Sequence, residues 1–411
     1  MTTLEASAST PPRTRGTSWW FPILLFFMIA GVLTVVVQLS HEHMKQDDPP
    51  IGPNAHAYIG GWMQYDTGWY VAIAEHGYDK QQVASFDAGQ QSSVAYFPGY
   101  PFAVRQVAHF TSDDYVLAAE LTTIACGLAV FLLFWKWCGR RLSPAGRRTA
   151  LLALALYPYA WFLYGSGYGD VLFIALTISA FLLLERDRPV LAGLAGAGAS
   201  ATRLIGVGTV IGLLVMVLER RHVVVRTEAT GPRRPWSGWR LDRTQLRLRD
   251  SGVLLSFAGI GSYCVFLWTR VGDPIAFNTV QAAPGWNQGT GPKTWIKYSF
   301  FAEVIRGEHS YGIRLVAQAL FCLLFIIAIP FIAKRLGTAY AIYTSVIIGI
   351  PLIGSSTMQG FGRYLLSAFP VFAVAGALLA ERARLQRMVL LSSGALLVLL
   401  ASFFGRGFYL S

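Results

Sequence analysis

Charge is what this sequence has least of. Of its 411 residues only 14% are Asp, Glu, Lys or Arg, against about 25% in an ordinary soluble domain. That shortage argues against a soluble globular fold. Cysteine is scarce as well. The four present, Cys126, Cys138, Cys264 and Cys322, lie in or beside apolar runs, and none forms a CxxC pair. A disulfide framework and a cysteine metal site are therefore not expected. No Asn-x-Ser/Thr sequon, Walker loop, His-Glu-x-x-His pair or Ser/His/Asp arrangement occurs. Nor are there alternating strands of about ten residues, which a membrane barrel would need.

Apolar sequence fills the space. Hydrophobic residues make up 54% of the chain, and the mean hydropathy is +0.46. They cluster in runs that match the roughly 20 residues needed to cross a bilayer as a helix. The expected class is an all-α polytopic membrane protein. The net charge of +12 then reads as Lys and Arg gathered in cytoplasmic loops. No basic groove interleaved with aromatics points to nucleic acid, so membrane lipids are expected as partners and nucleic acid is not.

Taken in order, residues 1–18 read as a disordered cytoplasmic segment, and 19–411 as a single transmembrane domain. Phe21 to Leu39 is the first span. With no Ala-x-Ala-like cleavage site after it, it reads as a retained anchor with the N-terminus inside. Residues 40–114 form a long outer loop, acidic in balance and rich in aromatics, with short surface helices expected near 56–76 and 99–110. Spans follow at 115–135, about 149–163 and 170–184. The stretch 189–218 is too long for one ordinary span, and both flanks are basic. It reads as a hairpin of two short helices, with its apex near Thr202-Arg203 and with Gly193, Gly196 and Gly198 allowing close packing. Residues 219–250 are a basic cytoplasmic loop whose Trp236 and Trp239 suit contact with anionic lipid. A span at 251–268, a second outer loop at 269–311, and spans at 312–333, 338–354, 363–380 and 388–404 complete a bundle of about eleven crossings, with the C-terminus outside.

Ionisable residues at membrane depth are costly, so each is a candidate site. Asp170, Arg203 and Arg363 all map to outer ends of spans, on the side of the loop that carries Asp66. Asp66 sits among aromatics beside Gly68, where a carboxylate can serve as a base. Its local sequence alone also reads as that of an ordinary acid capping a short helix. Arg203 and Arg363 suit phosphate binding, or snorkelling to headgroups. Asp170 suits orienting a sugar hydroxyl or holding a metal, or capping its helix. His41-x-His43 is too sparse to carry a metal site.

Six stretches in order resemble the PIG-V-like integral-membrane glycosyltransferases of GT-C architecture. They are Tyr65-Asp66-Thr67-Gly68-Trp69-Tyr70, Tyr96-Phe97-Pro98-Gly99-Tyr100-Pro101, Tyr168-Gly169-Asp170, Ala201-Thr202-Arg203, Gly272-Asp273-Pro274, and Arg363-Tyr364 with Phe369-Pro370. The chain departs from that pattern at Tyr65 (usually Trp), at Gly169-Asp170 (usually Thr-Glu) and at Leu204 (usually Pro). The resemblance implies a polyprenyl-phosphate-linked sugar donor, usually mannose, and a glycolipid or cell-envelope acceptor. It implies inverting transfer outside the cytoplasm, with Asp66 as general base. Arg203 and Arg363 would then hold the donor phosphate. Gln64, Tyr65, Trp69, Tyr70, Tyr96 and Asp170 would contact sugar or acceptor. No cofactor is required, and a divalent metal is compatible. The Arg-rich, Lys-poor composition points to a bacterial plasma (inner) membrane. The alternative reading is a multi-span lipid or oligosaccharide carrier without transferase activity.

Overall fold

The computed structural model describes residues 19–44, 60–78, 90–226, 239–283, 286, 288–289 and 291–410. The expected disorder of residues 1–18 and the lipid contact of Trp236 lie outside these residues. The apolar runs form helices: α1 (Trp20–His43), α2 (Asp66–His76), α3 (Gly99–Ala108), α4 (Tyr115–Cys138), α5 (Pro144–Ala155), α6 (Asp170–Glu185), α7 (Pro189–Ser200) and α8 (Val207–Arg220). After a two-stranded ribbon, β1 (Val224–Arg226) paired antiparallel with β2 (Trp239–Leu241), come α9 (Ala258–Val271), α10 (Ala276–Thr279), α11 (Pro292–Trp295) and α12 (Tyr298–Arg306). The last are α13 (His309–Leu336), α14 (Thr338–Gly354), α15 (Phe361–Leu366), α16 (Pro370–Leu379) and α17 (Ala383–Gly405).

The chain is an integral membrane protein of the all-α polytopic class. Five helical segments among the described residues are long and apolar enough to cross a membrane: 20–43, 115–138, 248–271, 309–336 and 383–405. Shorter apolar helices include α7, α14 and α16; the expected count of eleven crossings exceeds the five long segments. Local chemistry explains where helices start and stop. Asp114 caps α4, accepting from the amides of Val116 at 3.1 Å and Leu117 at 2.9 Å. The expected 149–163 span leaves its helix at Leu156, because the residue before Pro158 disfavours the α region and Pro158 has no N–H. The expected 363–380 span divides for a related reason, with Pro370 opening a fresh helix.

The expected hairpin at 189–218 is present as α7 and α8. Gly193 lets α7 meet the 3-10 segment Leu248–Phe257, since a Cβ there would lie 1.9 Å from the Gly252 carbonyl oxygen. The basic turns are fastened to acids at one end of the bundle. Arg141 pairs with Glu185, and Arg221 pairs with Asp187 at 2.8 Å and with Asp250 at 2.7 Å. The β-ribbon is an addition that the sequence did not announce. Helix α6 begins at Asp170 and ends at Glu185. At 1.5 Å per residue those ends lie roughly 24 Å apart, which places Asp170 at the opposite end of the bundle from the basic cluster.

Candidate active site

Helices α2 and α6 both begin with an acid. Asp66 is the first residue of α2 and Asp170 the first of α6. The exposed amides of a helix start favour negative charge there. Neither acid caps its own helix: the position before α2 is Tyr65 and that before α6 is Gly169. Both carboxylates instead face arginines. Nη1 of Arg363 donates to Oδ2 of Asp66 at 2.7 Å, and its Nε lies 3.8 Å from Oδ2 of Asp170. Arg203 pairs with the other oxygen of Asp170. Two acids and two bases thus alternate in one cluster of zero net charge, contributed by residues up to 297 positions apart.

Exposure grades across the cluster. The Asp170 side chain is 0% exposed, Arg203 11% and Asp66 16%. Asp170 therefore lies behind, holding the arginines, while Asp66 and Arg203 face a cavity of about 760 Å³. Among the described residues Arg203 makes no side-chain contact to an acceptor besides Asp170, so it keeps donors for a ligand. Its guanidinium and that of Arg363 both lie over the Tyr364 ring, at 5.2 and 5.5 Å. The Tyr168 ring lies 5.0 Å from the Arg363 guanidinium.

The loops are shaped to bring these groups together. Tyr65 adopts φ 54°, ψ −114°, a conformation strained for a residue with a Cβ. Its hydroxyl donates to the Gly407 carbonyl and its ring meets Tyr409 at 4.8 Å. The far end of α2 is held by Arg105 of α3, whose Nε donates to the Ala74 carbonyl at 2.6 Å. That cation also suits the negative end of the helix. The Gly99 amide donates to the Ala201 carbonyl at 2.8 Å, and a Cβ at Gly99 would meet that same oxygen at 2.8 Å. The Tyr96–Pro101 stretch is thereby seated on the hairpin apex, two residues from Arg203. Gly360, at φ 89°, starts α15 and aims Arg363 inward.

Tyr96 joins the cluster through its hydroxyl, which donates to Oδ1 of Asp66 at 3.1 Å. Burial first, then the Asp66 charge, push the Tyr96 phenol well above its ordinary pKa, so it remains a donor. Its ring stacks on Trp69 at 5.7 Å and meets Tyr70 edge-on at 5.1 Å. Tyr65, Trp69, Tyr70 and Tyr96 all line the cavity. Gln64 does not: its side chain is buried, and its carbonyl accepts from Tyr168 at 3.3 Å. Asp170 does not line it either. Tyr364, Tyr409 and Trp286 do, although sequence reasoning did not single them out as site residues. Among the described residues no three His, Cys, Asp or Glu side chains gather as a metal site. Positive charge at the cavity comes from arginine.

No protein-family model matches the chain. Curated proteins do. The GPI alpha-1,6-mannosyltransferase 2 of Rattus norvegicus is 29% identical over 212 residues, covering 45% of this chain and 41% of that protein. The enzyme of the same name from Homo sapiens is 27% identical over 189 residues, covering 40% of this chain and 36% of that one. The chain spans about two fifths of the length of the curated relatives it matches. Among solved structures it is similar to ArnT from Cupriavidus metallidurans bound to undecaprenyl phosphate, with TM-score 0.49, 14% identity, and coverage of 95% of this chain and 76% of that one. It is also similar to the oligosaccharyltransferase AglB from Archaeoglobus fulgidus in complex with an inhibitory peptide and a dolichol-phosphate, with TM-score 0.47, 12% identity, and coverage of 95% and 56%.

Proposed function

We propose that this PIG-V-like protein is an inverting membrane glycosyltransferase. It moves a sugar, mannose by the analogy of its relatives, from a polyprenyl-phosphate-linked donor to a hydroxyl of a glycolipid or other extracytoplasmic acceptor. The observation that carries this reading is the meeting of Asp66, Arg203 and Arg363 at one cavity wall. A carboxylate and two guanidiniums are the groups such a transfer requires.

The acceptor hydroxyl gives its proton to Oδ1 of Asp66, displacing the Tyr96 hydroxyl. Its oxygen bonds to the anomeric carbon from the face opposite the phosphate. The bond from that carbon to the phosphate oxygen breaks, and the electron pair leaves on the lipid phosphate. Arg203, with its spare donors, takes the developing charge. Arg363 keeps Asp66 aimed through Oδ2 and adds positive charge nearby. Asp170 acts as a positioning residue for both arginines. No metal is needed in this scheme, because arginine supplies the charge.

The test uses purified protein, a polyprenyl-phosphate-mannose donor and a glycolipid acceptor. Wild type should transfer mannose with inversion. Asp66→Asn should lose about 10²–10⁴-fold in kcat. Full transfer by the variant would remove Asp66 from the role of base. A wild type inactive with every lipid-phosphate sugar would favour the carrier reading.

A further inference from the structure

The cavity has two chemically different halves. Its charged lining residues, Asp66, Arg203 and Arg363, lie together in the ion-pair cluster. The second outer loop contributes a neutral wall with Asn278, Gln281, Trp286 and Gln288. That wall is held firmly from behind. Ala276, Phe277 and Val280 are buried in a small core with Phe97, Tyr263 and Leu267. Asp273 accepts from the Ile275 amide and the Thr279 hydroxyl, both at 2.9 Å. The Gln288 amide donates to the Gln281 carbonyl at 2.8 Å, so two glutamines distant by seven positions share one patch of wall.

Among the described residues none of the side-chain amides of Asn278, Gln281 or Gln288 has a hydrogen-bond partner within the protein. Each offers both donor and acceptor atoms. Beside them the Trp286 ring meets the stacked Trp69 and Tyr96 pair edge-on, at 6.2 and 5.9 Å and tilted by 62° and 72°. Uncharged amides next to a corner of aromatic faces match a ligand of many hydroxyls and apolar C–H faces. An anion would gain little here. We infer that this wall is the specificity surface for a neutral hexose, read by Gln281, Gln288 and Asn278 and packed on Trp286. The inference rests on the transferase reading and extends it, since a hexose enters the reaction both on the donor and on the acceptor.

Equilibrium binding in nanodiscs tests it. The probes are a short-chain prenyl phosphomannose and the same prenyl phosphate without sugar, compared in wild type and in the near-isosteric Gln281→Leu/Gln288→Leu variant. Wild type should hold the sugar-bearing lipid at least about tenfold more tightly, as expected for a few hydrogen bonds. The variant should bind the bare phosphate as wild type does, with the sugar increment gone. If that increment survives while the KM for the glycolipid acceptor rises tenfold, the hexose on this wall is the acceptor's. Trp286→Phe should give a smaller change of the same kind. Unchanged sugar increment together with unchanged acceptor KM overturns the inference. Failure of wild type to bind either lipid overturns the transferase reading, and this one with it.

Discussion

Arg363 links Asp66, the proposed base, to the rest of the cluster, and its removal has a calculable signature. The side chain is 8% exposed and touches Asp66 at 2.7 Å and Asp170 at 3.8 Å. Arg363→Ala leaves two carboxylates and one guanidinium where the charges had cancelled. Breaking a buried pair by removing one partner costs about 3–5 kcal/mol. The lower end applies here, because Asp66 borders the cavity and can take water, and Asp170 keeps Arg203. Catalysis should suffer separately. Losing one preorganised donor costs about 10²–10³-fold in kcat, and Asp66 also loses its aim. Adding Asp170→Asn restores charge balance with Asp66 and Arg203 alone. The double variant should recover thermal stability in detergent while its transfer rate stays low. The assay pairs a melting curve with initial rates for wild type, both single variants and the double. Transfer by Arg363→Ala within threefold of wild type would refute the reasoning, as would additive stability losses in the double variant.

Other outcomes follow from the same geometry. Tyr96→Phe removes the hydroxyl that donates to Oδ1 of Asp66, a hydrogen bond worth about 0.5–1.5 kcal/mol, so kcat/KM should fall by roughly two- to tenfold; a value equal to wild type would contradict this. Arg203→Ala should raise the donor KM at least about tenfold, measured with bare prenyl phosphate as competitor, and should also lower the melting temperature, because it takes from the buried Asp170 one of its two arginine partners. Gly193→Leu should destabilise the bundle strongly, since a side chain would strike the Gly252 carbonyl; a wild-type melting temperature would contradict this. Burial lowers Lys297 from its ordinary value to about 8. Its proton is then lost in the folded state before the unfolded one, so this residue adds stability as pH rises from about 8 towards its ordinary value near 10.4. The Lys297→Met protein should lack that part of the pH slope.

Much of the fold was legible because membrane spans are written in composition. The expected 338–354 and 170–184 runs form the helices Thr338–Gly354 and Asp170–Glu185, and run length together with the basic flanks located the hairpin apex near Arg203. The charged cluster of the candidate site was legible where an ionisable residue stood out against an apolar background, as Asp170, Arg203 and Arg363 do. Aromatic residues do not stand out that way. Tyr364 and Tyr409 look like any interfacial tyrosine until the fold brings them to the cavity. Gln64 shows the opposite failure: its neighbour Tyr65 turns the backbone to positive φ, and the Gln64 side chain goes inward while Asp66 faces out. The amides of Asn278, Gln281 and Gln288 carry no periodic pattern. Their common orientation is set by Asp273 and the Gln288–Gln281 backbone bond, which sequence spacing alone does not disclose.

Tyr65 has one consequence for how the molecule is made. Its strained backbone is steadied by the Gly407 carbonyl and the Tyr409 ring, which follow the last helix. The start of the helix bearing Asp66 is therefore settled by residues synthesised some 340 positions later. Until α17 and the segment after it are in place, the Tyr65 turn that opens this helix lacks two of its contacts. The orientation of that helix start is thereby a long-range property of the fold, since a chain cut before Gly407 would still carry α2 but not the contacts that steady its first turn.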